Sequence, residues 1–240
     1  DEERDYHFRY VLEDNFGNRR TYQFIVKGKR QDIPEYKPEA NEMLYWNRTN
    51  VIQKPGMELV VPRYHVYEDV PLRTDMRGDS SRIAFDYILD AGRTPIHSYC
   101  DLSIGLRHMP VADTTKYYIV QKAGKWRSSM GGKYASGWIK TRVRSLGTFS
   151  VDVDTIAPQI TPIGQGGWRT SRNIRFRIKD MESGIGSYKV YIDGKFVLFG
   201  LKKGILVIQD PEKVKKGVPH KLEVTVTDQC GNMARKEYKF

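Results

Sequence analysis

Apolar and polar residues alternate with a period of two along most of the chain. Residues 174–179 alternate strictly between apolar and charged side chains, and residues 188–192 and 222–227 follow the same pattern. This alternation is typical of a strand that has one face against a core and the other in water. Helix signals are confined to 41–46 and 211–216, each long enough for a single turn. The pattern predicts an all-β protein.

One hairpin motif occurs twice, near the two ends of the sequence. Residues 8–26 and 222–240 both contain an alternating strand, a D-x-x-G-N turn and a second alternating strand. The turn residues correspond at one constant spacing: Asp14 with Asp228, Gly17 with Gly231 and Asn18 with Asn232. A turn of this kind between two alternating runs predicts a β-hairpin. The repetition indicates tandem β-sandwich domains.

Turn residues and prolines divide the chain into segments. The pattern of residues 1–30 predicts a terminal hairpin. Because an isolated two-stranded ribbon is marginally stable in water, we expect this hairpin to be part of a truncated immunoglobulin-like domain. Its other strands are expected upstream; alternatively, the ribbon docks on the next domain or on a neighbouring chain. Residues 31–38 carry two prolines and predict a linker.

Two larger domains are predicted after the linker. Residues 39–154 predict a middle β-sandwich domain, and residues 155–240 predict a C-terminal immunoglobulin-like domain with about seven strands. Within the middle domain, strands are expected near 50–54, 57–61, 82–89, 99–106, 115–122, 133–142 and 146–153.

The chain carries a net charge of +11, with its lysines and arginines scattered along the sequence. Scattered charge favours a solvated cationic surface, although affinity for an anionic polymer is the alternative. We expect no nucleic-acid partner, because no known reading motif is present. No apolar run approaches the ~20 residues of a membrane-spanning helix. Cys100 and Cys230 lack the spacing of a metal or redox pair and predict free, buried thiols in different domains.

Three motifs in the last third of the chain resemble those of bacterial immunoglobulin-like repeats. They are D-x-x-A-P at 154–158, D-x-x-S-G-I at 180–185 and D-x-x-G-N at 228–232. In that family the first motif opens the domain, the second follows the second strand and the third lies in the last hairpin. The resemblance implies an immunoglobulin-like fold and an extracytoplasmic location, in the periplasm or at the cell surface.

A second resemblance covers most of the chain. The glycine-rich stretch 131–139, followed by 146–158, resembles the non-catalytic C-terminal region of bacterial lysostaphin-type zinc endopeptidases. Those enzymes cut peptide cross-links in peptidoglycan. The resemblance implies an upstream catalytic domain that holds the zinc. It also implies that this segment is a non-catalytic accessory or spacer that positions or targets the catalytic domain.

The sequence does not supply the zinc site of those enzymes. Such a site needs an H-x-x-x-D pair and a distant H-x-H pair. His97 and Asp101 fit the first pair, but no H-x-H occurs. We therefore assign no catalytic residue to this segment. The competing hypothesis is an enzyme whose site is assembled in the middle domain, in a polar pocket holding His97, Asp101 or His108.

Five acidic residues lie at the start and at one end of the predicted C-terminal domain: Asp152, Asp154, Asp180, Glu182 and Asp228. Carboxylate oxygens are the ligands that Ca²⁺ prefers, so these residues are a candidate calcium site that would stiffen the domain junction. The alternative is turn capping, because short carboxylates favour turn positions.

Aromatic, glycine and basic residues are mixed in the segment 125–138. On an exposed loop, Trp126 and Tyr134 could stack on sugar rings, whereas Trp138 is expected to be buried. These residues support an alternative function as a stand-alone adhesin or glycan-binding module. The expected partners are the upstream catalytic domain and peptidoglycan or another anionic envelope polymer.

Overall fold

The computed structural model describes residues 3–30, 39–79 and 81–240, so the predicted linker at 31–38 lies outside the described residues. Strand accounts for 52% of the chain and helix for 6%, which confirms the all-β class. The chain forms two compact units, Asp1–Lys37 and Pro38–Phe240, and each is described by itself.

The first unit is a two-stranded antiparallel hairpin of β1 (Asp5–Glu13) and β2 (Arg19–Lys27). Phe8 lies opposite Phe24, and their rings stack with centroids 5.2 Å apart. Because strand side chains alternate between faces, Val11 and Ile25 lie on one face, and the aromatic residues of both strands collect on the other. That face is exposed: Phe8 is 41% exposed and Tyr10 is 56% exposed. The predicted hairpin is therefore present, with its apolar face in solvent.

The second unit begins with a sandwich of eleven strands. They are β3 (Glu42–Leu44), β4 (Asn50–Lys54), β5 (Met57–Val61), β6 (Val70–Arg77), β7 (Asp86–Asp90), β8 (Cys100–Gly105), β9 (Tyr117–Ala123), β10 (Trp126–Ser129), β11 (Lys133–Ala135), β12 (Trp138–Val143) and β13 (Gly147–Val153). One sheet has the order β10-β9-β13-β7-β6-β3, and the other has the order β11-β12-β8-β5-β4. The core between them includes Leu59, Leu102 and Phe149, all with no exposed surface.

Two glycines carry the chain from one sheet of this sandwich to the other, between β10 and β11. Gly131 and Gly132 have φ values of 64° and 143°, a backbone region that disfavours other residues. A Cβ atom on Gly132 would lie 2.6 Å from the side chain of Ile139. Glycine is therefore required for both the turn and the close packing.

The second unit ends with a sandwich of eight strands and one short helix. They are β14 (Gln159–Ile163), α1 (Trp168–Ser171), β15 (Arg175–Lys179), β16 (Ile185–Ile192), β17 (Lys195–Phe196), β18 (Phe199–Lys202), β19 (Ile205–Ile208), β20 (Lys221–Asp228) and β21 (Met233–Lys239). The sheets have the orders β14-β15-β19-β18 and β17-β16-β20-β21. In immunoglobulin lettering these orders are A-B-E-D and C′-C-F-G, the arrangement expected for that fold.

The core of the C-terminal sandwich is centred on Trp168, which is fully buried. Its indole N–H donates to the carbonyl of Ile163 at 2.9 Å, and its ring meets Phe176 and Tyr238 edge-on. A buried indole needs such a partner for its one polar group. Leu222, Val224 and Val226 of β20 complete this core, as their alternation predicts.

The sequence misplaced several local elements. The helical turn expected at 41–46 is instead the strand β3, because its backbone pairs with β6. Strand β6 itself was not predicted, although Val70, Leu72 and Thr74 alternate toward the core. The strand expected at 133–142 is broken by a turn at Ser136 and Gly137, both with positive φ. The turn expected at 211–216 is present as a 3-10 helix at Pro211–Lys213.

Candidate functional site

Three aspartates from separate turns meet at one end of the C-terminal sandwich. One carboxylate oxygen from each of Asp154, Asp180 and Asp228 lies within 4.8 Å of the other two. Each is the first residue of one of the three motifs shared with bacterial immunoglobulin-like repeats. Asp154 and Asp228 are only 1% and 4% exposed. The fold therefore gathers the three motifs into one site.

Each of these carboxylates is held by hydrogen bonds from turn residues. Asp228 accepts from the backbone N–H groups of Cys230 and Asn232, both at 2.8 Å. Asp154 accepts from the N–H and hydroxyl of Ser183, at 3.0 and 2.5 Å. Asp180 accepts from two N–H groups of its own turn, one of them at 2.7 Å. Asp180 and Asp228 therefore fix their own turns, whereas Asp154 ties the connecting segment to the turn containing Ser183.

Burial and mutual repulsion shape the charge of this acidic group. Burial raises the pKa of Asp228, and the nearby charge of Asp154 adds to the increase, while hydrogen bonds from Asn232 oppose it. Two buried carboxylates in close proximity disfavour full ionisation. A proton or a cation at this position would relieve that repulsion.

The other two predicted calcium ligands lie outside this group. Asp152 forms an ion pair with Arg127 on β10. Glu182 accepts a hydrogen bond from the hydroxyl of Tyr118 at 3.2 Å. The structure therefore brings three of the five predicted residues together and gives the remaining two separate partners.

The chemistry of the three aspartates fits a hard cation. Ca²⁺ takes about 6–8 oxygen ligands, so backbone carbonyl groups or water would have to complete the shell. Among residues 3–30, 39–79 and 81–240, this is the only place where three or more potential metal-binding side chains lie close together. The group contains no histidine or cysteine. Calcium binding stays a prediction.

The acidic group adjoins the junction between the two sandwiches of the second unit. The Lys116 ammonium donates to the carbonyl of Cys230 at 3.0 Å. The amide of Asn232 donates to the carbonyl of Asp154, also at 3.0 Å. The N–H of Asp154 in turn donates to the carbonyl of Lys116 at 2.9 Å. Asp154 is therefore bonded to both sandwiches through its backbone.

Apolar contact accompanies these polar contacts. Tyr118, Val120 and Cys230 form a small cluster in which each residue is at most 2% exposed. Burial raises the pKa of the Tyr118 phenol, and the charges of Asp152 and Glu182 raise it further. The phenol is therefore neutral and donates to Glu182. Residues 117–120 are all buried, so β9 has no solvent face here.

Sequence reasoning missed Lys116 and Tyr118 as junction residues. A signal was present, because residues 117–120 form a continuous apolar run rather than an alternating one. Such a run is typical of a strand that is covered on both faces. The turn containing Cys230 covers the second face of β9.

Both cysteines are free and buried, as predicted. Burial raises the pKa of each thiol to about 11, and nearby acidic groups contribute. Cys100 belongs to the middle core and Cys230 to the junction cluster. Neither thiol is in the ionised form that nucleophilic chemistry requires at neutral pH.

The histidine residues considered for catalysis lie on the surface of the middle sandwich. His97 and Asp101 are exposed, and the His97 ring bonds to the Tyr67 hydroxyl through Nδ1 at 2.9 Å. His108 is exposed in the stretch after β8. The hypothesis of an enzyme site in this domain stays untested.

The candidate sugar-stacking residues lie on different sheets. Trp126 on β10 is 81% exposed, and Tyr134 on β11 is 37% exposed. Trp138, expected to be buried, is only partly covered. Trp126 is therefore the aromatic ring most available to a ligand in this segment, and its role in glycan binding stays a prediction.

A family model described as the Zu5-like domain matches residues 41–154, just under half of the chain. The matched residues cover the middle sandwich and end at Asp154, the residue that joins the two sandwiches. No curated protein matches the chain. Within the described parts of the chain, no helix has the length and apolar character required to cross a membrane.

Proposed function

We propose that this segment is a non-catalytic, rigid spacer that positions an upstream peptidoglycan-cleaving metallopeptidase domain in the bacterial envelope. The observation that supports it is the junction at Asp154. A spacer can set a distance and an angle only if its domains do not swing freely. Here residues 154–158 connect the sandwiches, and the first of them, Asp154, is hydrogen-bonded to both.

Three further contacts support a fixed junction. Lys116 reaches across it, and its side chain is only 16% exposed. Tyr118 donates to Glu182, and Ser129 donates to Gln229 at 3.3 Å. A hydrogen bond contributes about 1 kcal/mol. Together with the buried Tyr118 cluster, these contacts favour one orientation.

Spin-label distance measurements test the rigidity. Labels at V51C and L201C would report the middle and C-terminal sandwiches, because both positions are exposed and the native thiols are buried. We expect one narrow distance distribution, and Asn232→Ala should broaden it by removing the bond to Asp154. A broad distribution in the protein with intact Asn232 would refute the rigid spacer.

The link to a peptidase is tested in the parent protein. Loosening the junction with Asn232→Ala should slow the cleavage of cross-linked peptidoglycan several-fold and leave cleavage of a short soluble peptide unchanged. Positioning matters only for a polymeric substrate. Equal effects on both substrates, or an effect on neither, would count against the positioning role.

Trp126 supports a second candidate function, that of a glycan-binding module. The Trp126 indole is 81% exposed, so it places a large apolar surface in water and contributes little to core packing. We expect Trp126→Ala to weaken retention on purified cell wall. Phe16→Ala, which removes another exposed aromatic ring from the hairpin of the first unit, is the matched control. Unchanged retention after Trp126→Ala would dismiss this candidate.

A further inference from the structure

A recess of about 600 Å³ lies in the C-terminal sandwich, beside the turn between β16 and β17. The loop before β20 forms its other wall. Its size falls within the range of small-ligand pockets. The floor is apolar, with Ile192 and Val197 each 5% exposed. Neither Trp126 nor any of the three aspartates lines the recess.

His220 fixes one wall of the recess. Its Nδ1 lies 2.6 Å from the Asp193 carboxylate, and its Nε2 lies 2.6 Å from the Lys215 carbonyl. Both partners are acceptors, so this geometry favours the form with a proton on each ring nitrogen, the imidazolium. Burial alone would lower the pKa of His220, but the Lys215 carbonyl and Asp193 outweigh it and raise the pKa.

The acidic residue of the recess, Asp193, is satisfied within the protein. Besides His220, it accepts the N–H of Lys221 at 2.9 Å. The hydrogen bond from His220 is the main cause of its lowered pKa. Its negative charge is therefore matched mainly by His220, and Lys195 adds a smaller electrostatic contribution.

Lysines supply an excess of positive charge around this recess. Lys213 forms an ion pair with Asp210 at 2.5 Å. Lys195 and Lys215 are exposed and form no side-chain ion pair within the described ranges. Two exposed ammonium groups beside one recess, of which Lys195 also interacts electrostatically with Asp193, raise the local concentration of anions. The recess is thus suited to a negatively charged ligand.

An aromatic ring adds a second type of contact. Phe196 lines the recess and is 58% exposed, and its ring lies edge-on to Tyr191 at 6.0 Å. An exposed ring offers an apolar face to the C–H face of a sugar, while the ammonium groups pair with acidic substituents as point charges.

We propose that this recess binds an anionic carbohydrate, with Phe196 against the sugar ring and Lys195 and Lys215 paired with its carboxylate or phosphate groups. The inference deepens the proposed function by naming the envelope partner of the spacer. It does not depend on the junction, so junction rigidity and ligand binding fail or succeed in separate experiments.

Affinity measurements with three defined polymers test the proposal. The probes are polygalacturonate (an acidic sugar chain), inorganic polyphosphate (anionic without sugar rings) and neutral dextran. We expect polygalacturonate to bind most tightly, with an affinity that falls as salt rises. The double variant K195Q/K215Q should weaken binding about tenfold, the effect expected for two exposed ion pairs. Phe196→Ala should also weaken it.

The control is K202Q/K203Q, which removes two exposed lysines from the β18–β19 turn of the same domain. It should change affinity less than about twofold, since these residues do not line the recess. Equal weakening by both double variants would show that binding depends on the general surface charge and not on the recess, and it would overturn the proposal. Polyphosphate binding as tightly as polygalacturonate, or dextran binding unaffected by K195Q/K215Q, would also overturn it.

Discussion

Asp14 and Asp228 accept the same three hydrogen bonds in two turns at opposite ends of the chain. Each receives the N–H groups of the residues two and four positions later and the side-chain amide of an asparagine, Asn18 or Asn232. Only the surroundings differ, because Asp14 is exposed and Asp228 is 4% exposed. The D-x-x-G-N motif therefore encodes its turn without help from tertiary contacts.

This pair predicts different consequences for one substitution. Asp228→Ala would leave the N–H groups of Cys230 and Asn232 without partners in a buried site. We expect a loss of about 2 kcal/mol in the free energy of unfolding, measured in urea. Asp14→Ala should leave the main unfolding transition unchanged, because water can replace the lost acceptor. Similar losses in the two variants would contradict this account of burial.

His220 makes the stability of the C-terminal sandwich depend on pH. Its pKa in the folded protein is raised above the ordinary value of 6.5. The stabilisation is therefore complete below pH 6.5 and is lost as the pH rises through the folded pKa. Urea unfolding across this window should show decreasing stability. The slope should flatten in His220→Gln and persist in His108→Gln, which alters an exposed ring.

The two thiols should be unreactive in the folded protein. Both are buried, with pKa values raised to about 11, so little thiolate exists at neutral pH. A colorimetric disulfide reagent should modify neither cysteine on the timescale of minutes and both after denaturation. Immediate reaction of one equivalent in the native protein would show that the core or the junction opens readily.

The three aspartates give a test of calcium binding. Bound Ca²⁺ would stabilise the folded state by mass action. The prediction is that excess Ca²⁺ raises the melting temperature and a chelator lowers it. Asp180→Asn, which keeps an oxygen acceptor for its turn but removes a charge, should abolish the response. A melting temperature that is indifferent to both treatments would leave turn capping as the role of these residues.

The β1–β2 hairpin is expected to belong to an immunoglobulin-like domain whose other strands would cover it, and amide hydrogen exchange can test whether it is covered. In the twin hairpin, Leu222, Val224 and Val226 are fully buried, whereas the matching Phe8 and Tyr10 are exposed. Amide hydrogen exchange should be fast in β1 and β2 and slow in β20 of the same sample. If exchange in β1 is slow and becomes slower as the protein concentration rises, its apolar face instead binds a second copy of the chain.

Strands and turns could be predicted locally, and the errors have physical causes. The turn at Asp193 and Gly194 between β16 and β17 is a local feature of this kind, because both residues adopt positive φ, which this dipeptide tolerates. Strand β3 was misassigned because three residues carry too little pattern, and its partner β6 lies more than twenty positions away. The break at Ser136 and Gly137 was hidden by strand-like residues on either side.

The sequence by itself determined the all-β class, the repeated hairpin and the turn geometry at each D-x-x-G-N motif. These features depend on alternation and on hydrogen bonds between residues at most four positions apart. Only the tertiary structure decided that Asp154, Asp180 and Asp228 converge, that Asp152 and Glu182 do not, and that Lys195 and Lys215 flank one recess. Such contacts join residues tens of positions apart, and their distances are set by how the sheets pack rather than by any local pattern.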